Sequence, residues 1–464
     1  MIAKQFIVIF GITFYFATGM CLYLWPDIFR QSGGLVLIVS VAFLIGFVKY
    51  MQFDFIIQLR LIFLMTIGIS AAIAKLISPD MVLIDFGRGI QSYDTMIIMY
   101  ALSMIAAASS MIGYIAARNI YKPILKTSLG ELKISKDYSL YVTSLVLIIV
   151  IGFLSGRSYG PPVWDAVYAS GEGEGQFLGN LQSIGVILIG INYLIAYRIN
   201  KRKTWILSSF AYFYLLVIGI LIRGGRLEFL SGILAIYICI SVVAGAPVGM
   251  RLRNYLWLIL AAVFMEYIGY LRYALAGVDA ETFTAGFLRM YDNGILFLGT
   301  ISGIGSAFAN VIDMLQNRII DYSYGFHYLE YFLRTPPEFL YPGRPEDLSS
   351  IFEKYGYISI GGFFEIAEEY LNFGLLGVVF IPGLITYFFK RVSDKAVSGS
   401  FFSYILLLAI VSVFMRGAWY QTFAYYKAIV TGLIIYFLIS IYRSSTRKSR
   451  RSKNKCVESL AQLS

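Results

Sequence analysis

Charge is what this chain has least of. Only 14% of its 464 residues are Asp, Glu, Lys or Arg, against about a quarter in soluble globular domains. So few charges cannot cover a water-exposed surface, and 58% of the residues are hydrophobic. Histidine occurs once and cysteine three times; Cys21, Cys239 and Cys456 have neither metal-ligand nor disulfide spacing. No P-loop, His-Glu-x-x-His or Cys-x-x-Cys is found. The usual signatures of nucleotide, zinc and thiol chemistry are therefore missing. There is no internal repeat, which weighs against a transporter built from inverted halves, and no low-complexity tract beyond the tail.

What fills the chain is a series of apolar runs with 36 Phe and 36 Tyr, a composition suited to lipid-facing walls and interfacial belts. A helix crossing about 30 Å of hydrocarbon needs some 20 apolar residues. Such runs lie at 5–25, 34–51, 61–78, 95–117, 138–156, 179–197, 204–222, 229–248, 254–271, 371–389, 401–415 and 424–442. They predict an all-α, polytopic integral membrane protein of about 12 transmembrane helices. The first run follows a lone Lys4 and ends at Trp25-Pro26 with no Ala-x-Ala site, so it is expected to stay as a helix.

The net charge of +11 is concentrated where topology explains it. The tail 443–455 carries Arg443, Arg447, Lys448, Arg450, Arg451, Lys453 and Lys455. Directly after an apolar span, this predicts a cytoplasmic anchor on anionic lipid, not a nucleic-acid site. With both termini cytoplasmic, short inner loops collect Lys49, Arg60, Arg118, Arg198, Lys201, Arg202, Lys203, Arg251, Arg253, Lys390, Arg391 and Lys395, as the positive-inside rule asks.

The chain then divides into a transmembrane bundle over 1–271 (about nine helices), a large extracytoplasmic loop over 272–362, C-terminal transmembrane helices over 363–442 and a basic cytoplasmic tail over 443–464. Inside the loop, 294–312 is long and apolar enough for a further span. A crossing there would put Lys390-Arg391 outside, so a re-entrant or interfacial helix pair packed on the bundle is the better expectation.

The outer side is rich in arginine and nearly free of lysine. A guanidinium keeps its charge and grips phosphate bidentately. The sharpest cluster is Arg223-Gly224-Gly225-Arg226-Leu227-Glu228, a corner that pins two arginines at the outer boundary; a plain helix turn with arginines snorkelling to lipid is the bland alternative. Arg289, near Asp292, either binds a ligand or locks a fold. Arg272 ends a span, and Arg416 sits in an Arg-Gly-Ala-Trp-Tyr corner. His327, the single histidine, lies in Tyr324-Gly325-Phe326-His327-Tyr328, fit for proton transfer or for packing. Glu365, Glu368 and Glu369 open the tenth span as base candidates, and acids in a first helical turn are also what the helix dipole favours. The expectation is a site without a metal or other cofactor, with arginines neutralising a leaving pyrophosphate.

The order Tyr324-Gly325, Arg334-Thr335-Pro336-Pro337, Tyr341-Pro342-Gly343-Arg344-Pro345, Glu369-Tyr370-Leu371-Asn372-Phe373-Gly374 resembles the Wzy-type O-antigen and oligosaccharide repeat-unit polymerases. With the Arg-Gly-Gly-Arg corner and the late loop, the resemblance covers most of the C-terminal half; the N-terminal half agrees in topology alone. It implies a GT-C-like or ligase-like architecture in a bacterial inner membrane, with the active site on the periplasmic face. It also implies an inverting glycosyltransferase that polymerises undecaprenyl-pyrophosphate-linked oligosaccharides, alongside a Wzx-type flippase and a Wzz-type chain-length regulator. By position, Arg223, Arg226, Arg289 and Arg334, joined by Arg272 and Arg416, would hold the pyrophosphate. Glu369 or His327 would activate the acceptor, with Arg226 also counted in the catalytic set. An O-antigen ligase and a lipid-linked oligosaccharide flippase are the competing readings.

Overall fold

A computed structural model describes residues 2–51, 54–77, 92–120, 137–157, 175–221, 226–244, 298–335, 341, 343, 345, 354–355, 363–419 and 422–461. It is helical throughout, with no β-strand among the described residues. Nine helices there are long and apolar enough to cross a membrane.

In chain order the described helices are α1 (Ile2–Leu24), α2 (Ile28–Tyr50), α3 (Phe55–Ile77), α4 (Tyr93–Ile120), α5 (Tyr138–Arg157), α6 (Gly175–Ile199) and α7 (Arg202–Phe213), which continues as a π-helix over Tyr214–Leu221. Then come α8 (Arg226–Ala244), α9 (Leu298–Gln316), α10 (Phe326–Arg334), α11 (Glu365–Val397), α12 (Phe401–Ser412), α13 (Phe414–Trp419) and α14 (Phe423–Ala461). Two predicted spans are shorter as apolar helices, Leu227–Val242 and Phe401–Ser412, and the predicted span 254–271 lies outside the described residues.

α4 is the axis of the first half. Its apolar window is 94% buried, and it packs on α1, α3 and α11. Small residues make this possible: a Cβ on Gly113 would collide with the backbone of Gly383, so α4 and α11 touch main chain to main chain. Pro382 lies inside α11 at this contact, and Ser109 Oγ accepts the Gly383 N–H at 3.0 Å. Further along the chain, α5, α6 and α7 meet around Asn192. Its amide donates to Ser144 (2.9 Å), and its carbonyl accepts from Ser208 and Tyr212 (2.8 Å each).

Several basic residues gather at one end. Arg118 lies over the Tyr50 ring (5.0 Å). Lys390 bridges Asp54 (2.8 Å) and Asp394, and Tyr114 donates to Asp54 at 2.7 Å. Lys201 lies over Tyr138 (5.3 Å). This clustering follows the loop charges read from the sequence. Arg60 departs from it: it is the sixth residue of α3, about 8 Å along the helix at 1.5 Å per residue, and fully buried.

The largest departure is in α11. Expected as one span opening at Glu365, it is two helices joined at Gly374, where φ 60° and ψ −145° fall in a region open in practice to glycine alone. The first half turns back along the second. A Cβ on Gly377 would strike the carbonyl of Glu369, and one guanidinium, that of Arg60, reaches both Glu365 and Thr386. In a straight helix those two residues, 21 apart, would be separated by about 32 Å. Residues 365–373 are thus a short helix re-entering the bundle, with its N-terminus deepest. The re-entrant element was expected at 294–312; α9 there packs on α3, α4 and α11, with Phe308 and Phe364 at 5.4 Å between centroids. Replacing Gly374 with Ala should cost about 1–3 kcal/mol of stability, measured as a lower melting temperature in detergent, whereas Gly34→Ala, with open space around its Cβ, should leave the melt unchanged.

Candidate functional site

The re-entrant helix carries Glu365, Glu368 and Glu369 into the interior, and all three are 0% exposed, as is Arg60. An ionised carboxylate away from water is costly unless paired, so each partner matters. Glu365 has one: both its oxygens accept from the Arg60 guanidinium, side by side. Arg60 Nε donates to Thr386 Oγ1 at 3.1 Å, and the guanidinium lies 5.6 Å from the centre of the Phe389 ring. This fork geometry is the strongest form of a side-chain ion pair. It ties α3, the re-entrant helix and the second half of α11 into one unit.

Glu368 Oε2 accepts the Thr422 N–H at 2.8 Å, at the start of α14. Among the described residues no N–H or hydroxyl donor reaches its other oxygen or either oxygen of Glu369, whose carboxyl group lies beside that of Glu365, close enough for a carboxyl–carboxylate hydrogen bond, and within electrostatic range of Arg60. Asn372 donates to the Glu368 carbonyl at 2.8 Å, leaving its Oδ1 unbonded. Tyr328 of α10 is in electrostatic range of all three glutamates, and its buried hydroxyl is also unbonded, like that of Tyr331. Buried polar atoms without partners are rare in folded proteins and tend to mark functional sites. Here acceptors and hydroxyls able to hold a polyhydroxylated ligand are concentrated in one layer. Among the described residues no three His, Cys, Asp or Glu side chains are grouped to hold a metal ion.

Cations border this layer. Arg334 lies over one ring, Phe423, at 5.0 Å, and Lys427 lies over the same ring at 4.4 Å. Tyr331 stacks on Phe423 too (4.7 Å). The two cations therefore converge at the first turn of α14, where a helix dipole also favours negative charge.

The other sequence candidates are placed as follows. His327 sits on α10, and its Nδ1 is 3.0 Å from Glu330 Oε2 in the same helix. Arg416, 49% exposed at its side chain, faces Glu228 at 3.4 Å. Arg223, Arg272 and Arg289 lie outside the described residues. Arg226 opens α8, but its side chain is likewise not described. The site therefore joins Glu365, Glu368, Glu369 and Arg334. It adds Arg60, Asn372, Tyr328 and Lys427, which the sequence reading had not proposed. Arg60 had been assigned to a cytoplasmic loop; its position inside an apolar run, seven residues beyond Phe53, was the available signal, because charges at membrane depth are kept for a reason.

Removing one member of a buried ion pair strands the other and costs about 3–5 kcal/mol, while removing both is often tolerated. Arg60→Met and Glu365→Gln should each lower the detergent melting temperature sharply, and the double variant should recover most of the loss. Additive losses in a thermal-shift double-mutant cycle would show that the pair does not hold the hairpin. Compared with protein-family models, curated proteins and solved structures, the chain matches none.

Proposed function

We propose that this chain is an inverting glycosyltransferase that polymerises undecaprenyl-pyrophosphate-linked oligosaccharide units into a surface polysaccharide. It would act at the outer leaflet of a bacterial inner membrane with both termini cytoplasmic. The observation that carries the reading is Glu369: a buried carboxyl group that, among the described residues, only the Glu365 carboxyl approaches as a hydrogen-bond partner, next to a layer of unbonded Asn and Tyr groups and bordered by Arg334 and Lys427. A base and a phosphate-binding cation pair, close together and screened from water, are what glycosyl transfer from a diphosphate requires.

In this scheme Glu369 accepts the proton of an acceptor hydroxyl. The hydroxyl oxygen attacks the anomeric carbon of the donor glycan from the face opposite the pyrophosphate. The bond from that carbon to the pyrophosphate oxygen breaks, and undecaprenyl pyrophosphate departs with the electron pair. Arg334 and Lys427, with the first turn of α14, balance the charge that develops on it. Arg60 keeps Glu365 paired and so fixes the helix on which Glu369 stands. The Arg223 and Arg226 corner, Arg272, Arg289 and Arg416 complete the pyrophosphate clamp in this reading, with His327 as the competing base. The bilayer holds both polyprenyl tails; a Wzx-type flippase would supply the substrate and a Wzz-type regulator would set product length. A ligase that passes the glycan to a lipid A–core acceptor would use the same donor chemistry.

The buried Arg60–Glu365 pair inside the spans favours a second reading, an ion-coupled transporter of lipid-linked oligosaccharide, because such proteins place charges on broken helices at membrane depth. One reconstitution separates them. Proteoliposomes given purified lipid-linked repeat unit, without nucleotide sugar or ATP, should form chains longer than one unit. Glu369→Gln should slow chain growth by about 10²–10⁴-fold, the usual contribution of a general base, with folding unchanged. Flipping of substrate without chain growth would support the transporter.

A further inference from the structure

All three glutamates are closed off from solvent, so no ligand reaches them unless a covering element moves. Of the described elements over the cluster, α3, α11 and α14 are helices long enough to cross a membrane, whereas α10 has nine residues. It enters through two successive left-handed residues, Tyr324 (φ 46°) and Gly325 (φ 83°). Just before them the chain is anchored, with Ser323 N–H donating to the Leu371 carbonyl at 3.0 Å. Ring contacts fasten α10 beyond that point: Tyr328 on Phe373 (6.1 Å), Tyr331 on Phe423 (4.7 Å) and Phe332 on Tyr426 (4.9 Å). These ring–ring contacts separate without stranding hydrogen bonds, and Arg334 adds a charged contact over Phe423 at 5.0 Å. The buried hydroxyls of Tyr328 and Tyr331 would gain partners on opening, which lowers the cost of the open state.

The other face of α10 is apolar and bare. Phe326 is 65% exposed, Leu329 61%, Phe332 60% and Leu333 51%. It runs on to the exposed wall of α11, where Leu376 and Phe380 are 67% and 62% exposed. An open apolar groove of about 410 Å³ lined by Tyr322, Tyr324, Phe373 and Leu376 lies along this junction. Continuity with a lipid-facing wall identifies what covers the face: acyl chains of the bilayer, as for an interfacial amphipathic helix.

We infer that α10 is a lipid-seated lid, hinged at Tyr324-Gly325, whose opening gives access from the membrane side to the buried carboxylates. The inference concerns access and holds whatever chemistry the site performs, so its test does not use chain growth. In nanodiscs of full-length protein with Cys21, Cys239 and Cys456 replaced, Phe332→Cys and Tyr426→Cys are joined by a reducible bis-methanethiosulfonate bridge. Dicyclohexylcarbodiimide labelling of the peptide holding Glu368 and Glu369 is then read by mass spectrometry. Labelling is expected in the open form, to fall at least tenfold when bridged and to return on reduction, while exposed Asp27 labels alike throughout. Equal labelling with and without the bridge, or none in either state, would overturn the lid. For the lipid seat, a bimane on Leu329→Cys is expected to be quenched by tail-brominated phospholipid; unchanged fluorescence would overturn it.

Discussion

One guanidinium holds the centre of this protein together. A short helix with three glutamates in its first five residues has no business in an apolar interior unless its charge is met there. Arg60 meets it from α3, with both Glu365 oxygens in its fork and Thr386 behind it. The reversal at Gly374 follows from the same requirement. If Glu365 is to reach Arg60, the chain must double back, and only glycine accepts the backbone angles that let it. Main-chain contact between Gly113 and Gly383 then seats the returning half against α4.

The fork of Arg60 is taken up by Glu365, and the remaining acids are left without a bidentate partner. Among the described residues, Glu369 and one oxygen of Glu368 keep acceptors that no N–H or hydroxyl donor reaches, in a layer roofed by the Tyr328 and Tyr331 of α10 and bordered by Arg334 and Lys427. The carboxylate paired with Arg60 and the one proposed as base stand one helical turn apart on the same element. Any movement of Arg60 would therefore be passed to the site through a rigid helix and not through a loop, an economical way to fix a reactive group within a membrane.

The sequence made the class of fold plain, because apolar runs of about 20 residues, repeated along a chain, suit little besides helices that cross a bilayer. Of the loop charges, Arg118 and Lys390 do meet, around Tyr50, Tyr114 and Asp54. What it hid was depth. Glu365, Glu368 and Glu369 look the same whether they cap a span at a wet surface or plunge into the bundle, and the helix dipole accounts for them in either place. The deciding partner, Arg60, is some 300 residues away in the chain and sits near enough to the end of an apolar run to pass for a loop cation. Gly374 carried a local signal, yet glycines are common in transmembrane helices and one among 43 does not announce a reversal. Tyr328 joined the site through tertiary packing that no spacing rule predicts. His327, more conspicuous as the single histidine, pairs instead with Glu330 of its own helix.

The central claim is that residues 365–373 re-enter the bundle and are held there by Arg60. An experimental density map of the protein in a lipid nanodisc tests it most directly. The account predicts two antiparallel helical rods meeting at Gly374, with side-chain density from Arg60 bridging Glu365 and Thr386. A single continuous rod from Glu365 to Val397, its acidic end in solvent and Arg60 elsewhere, would contradict it.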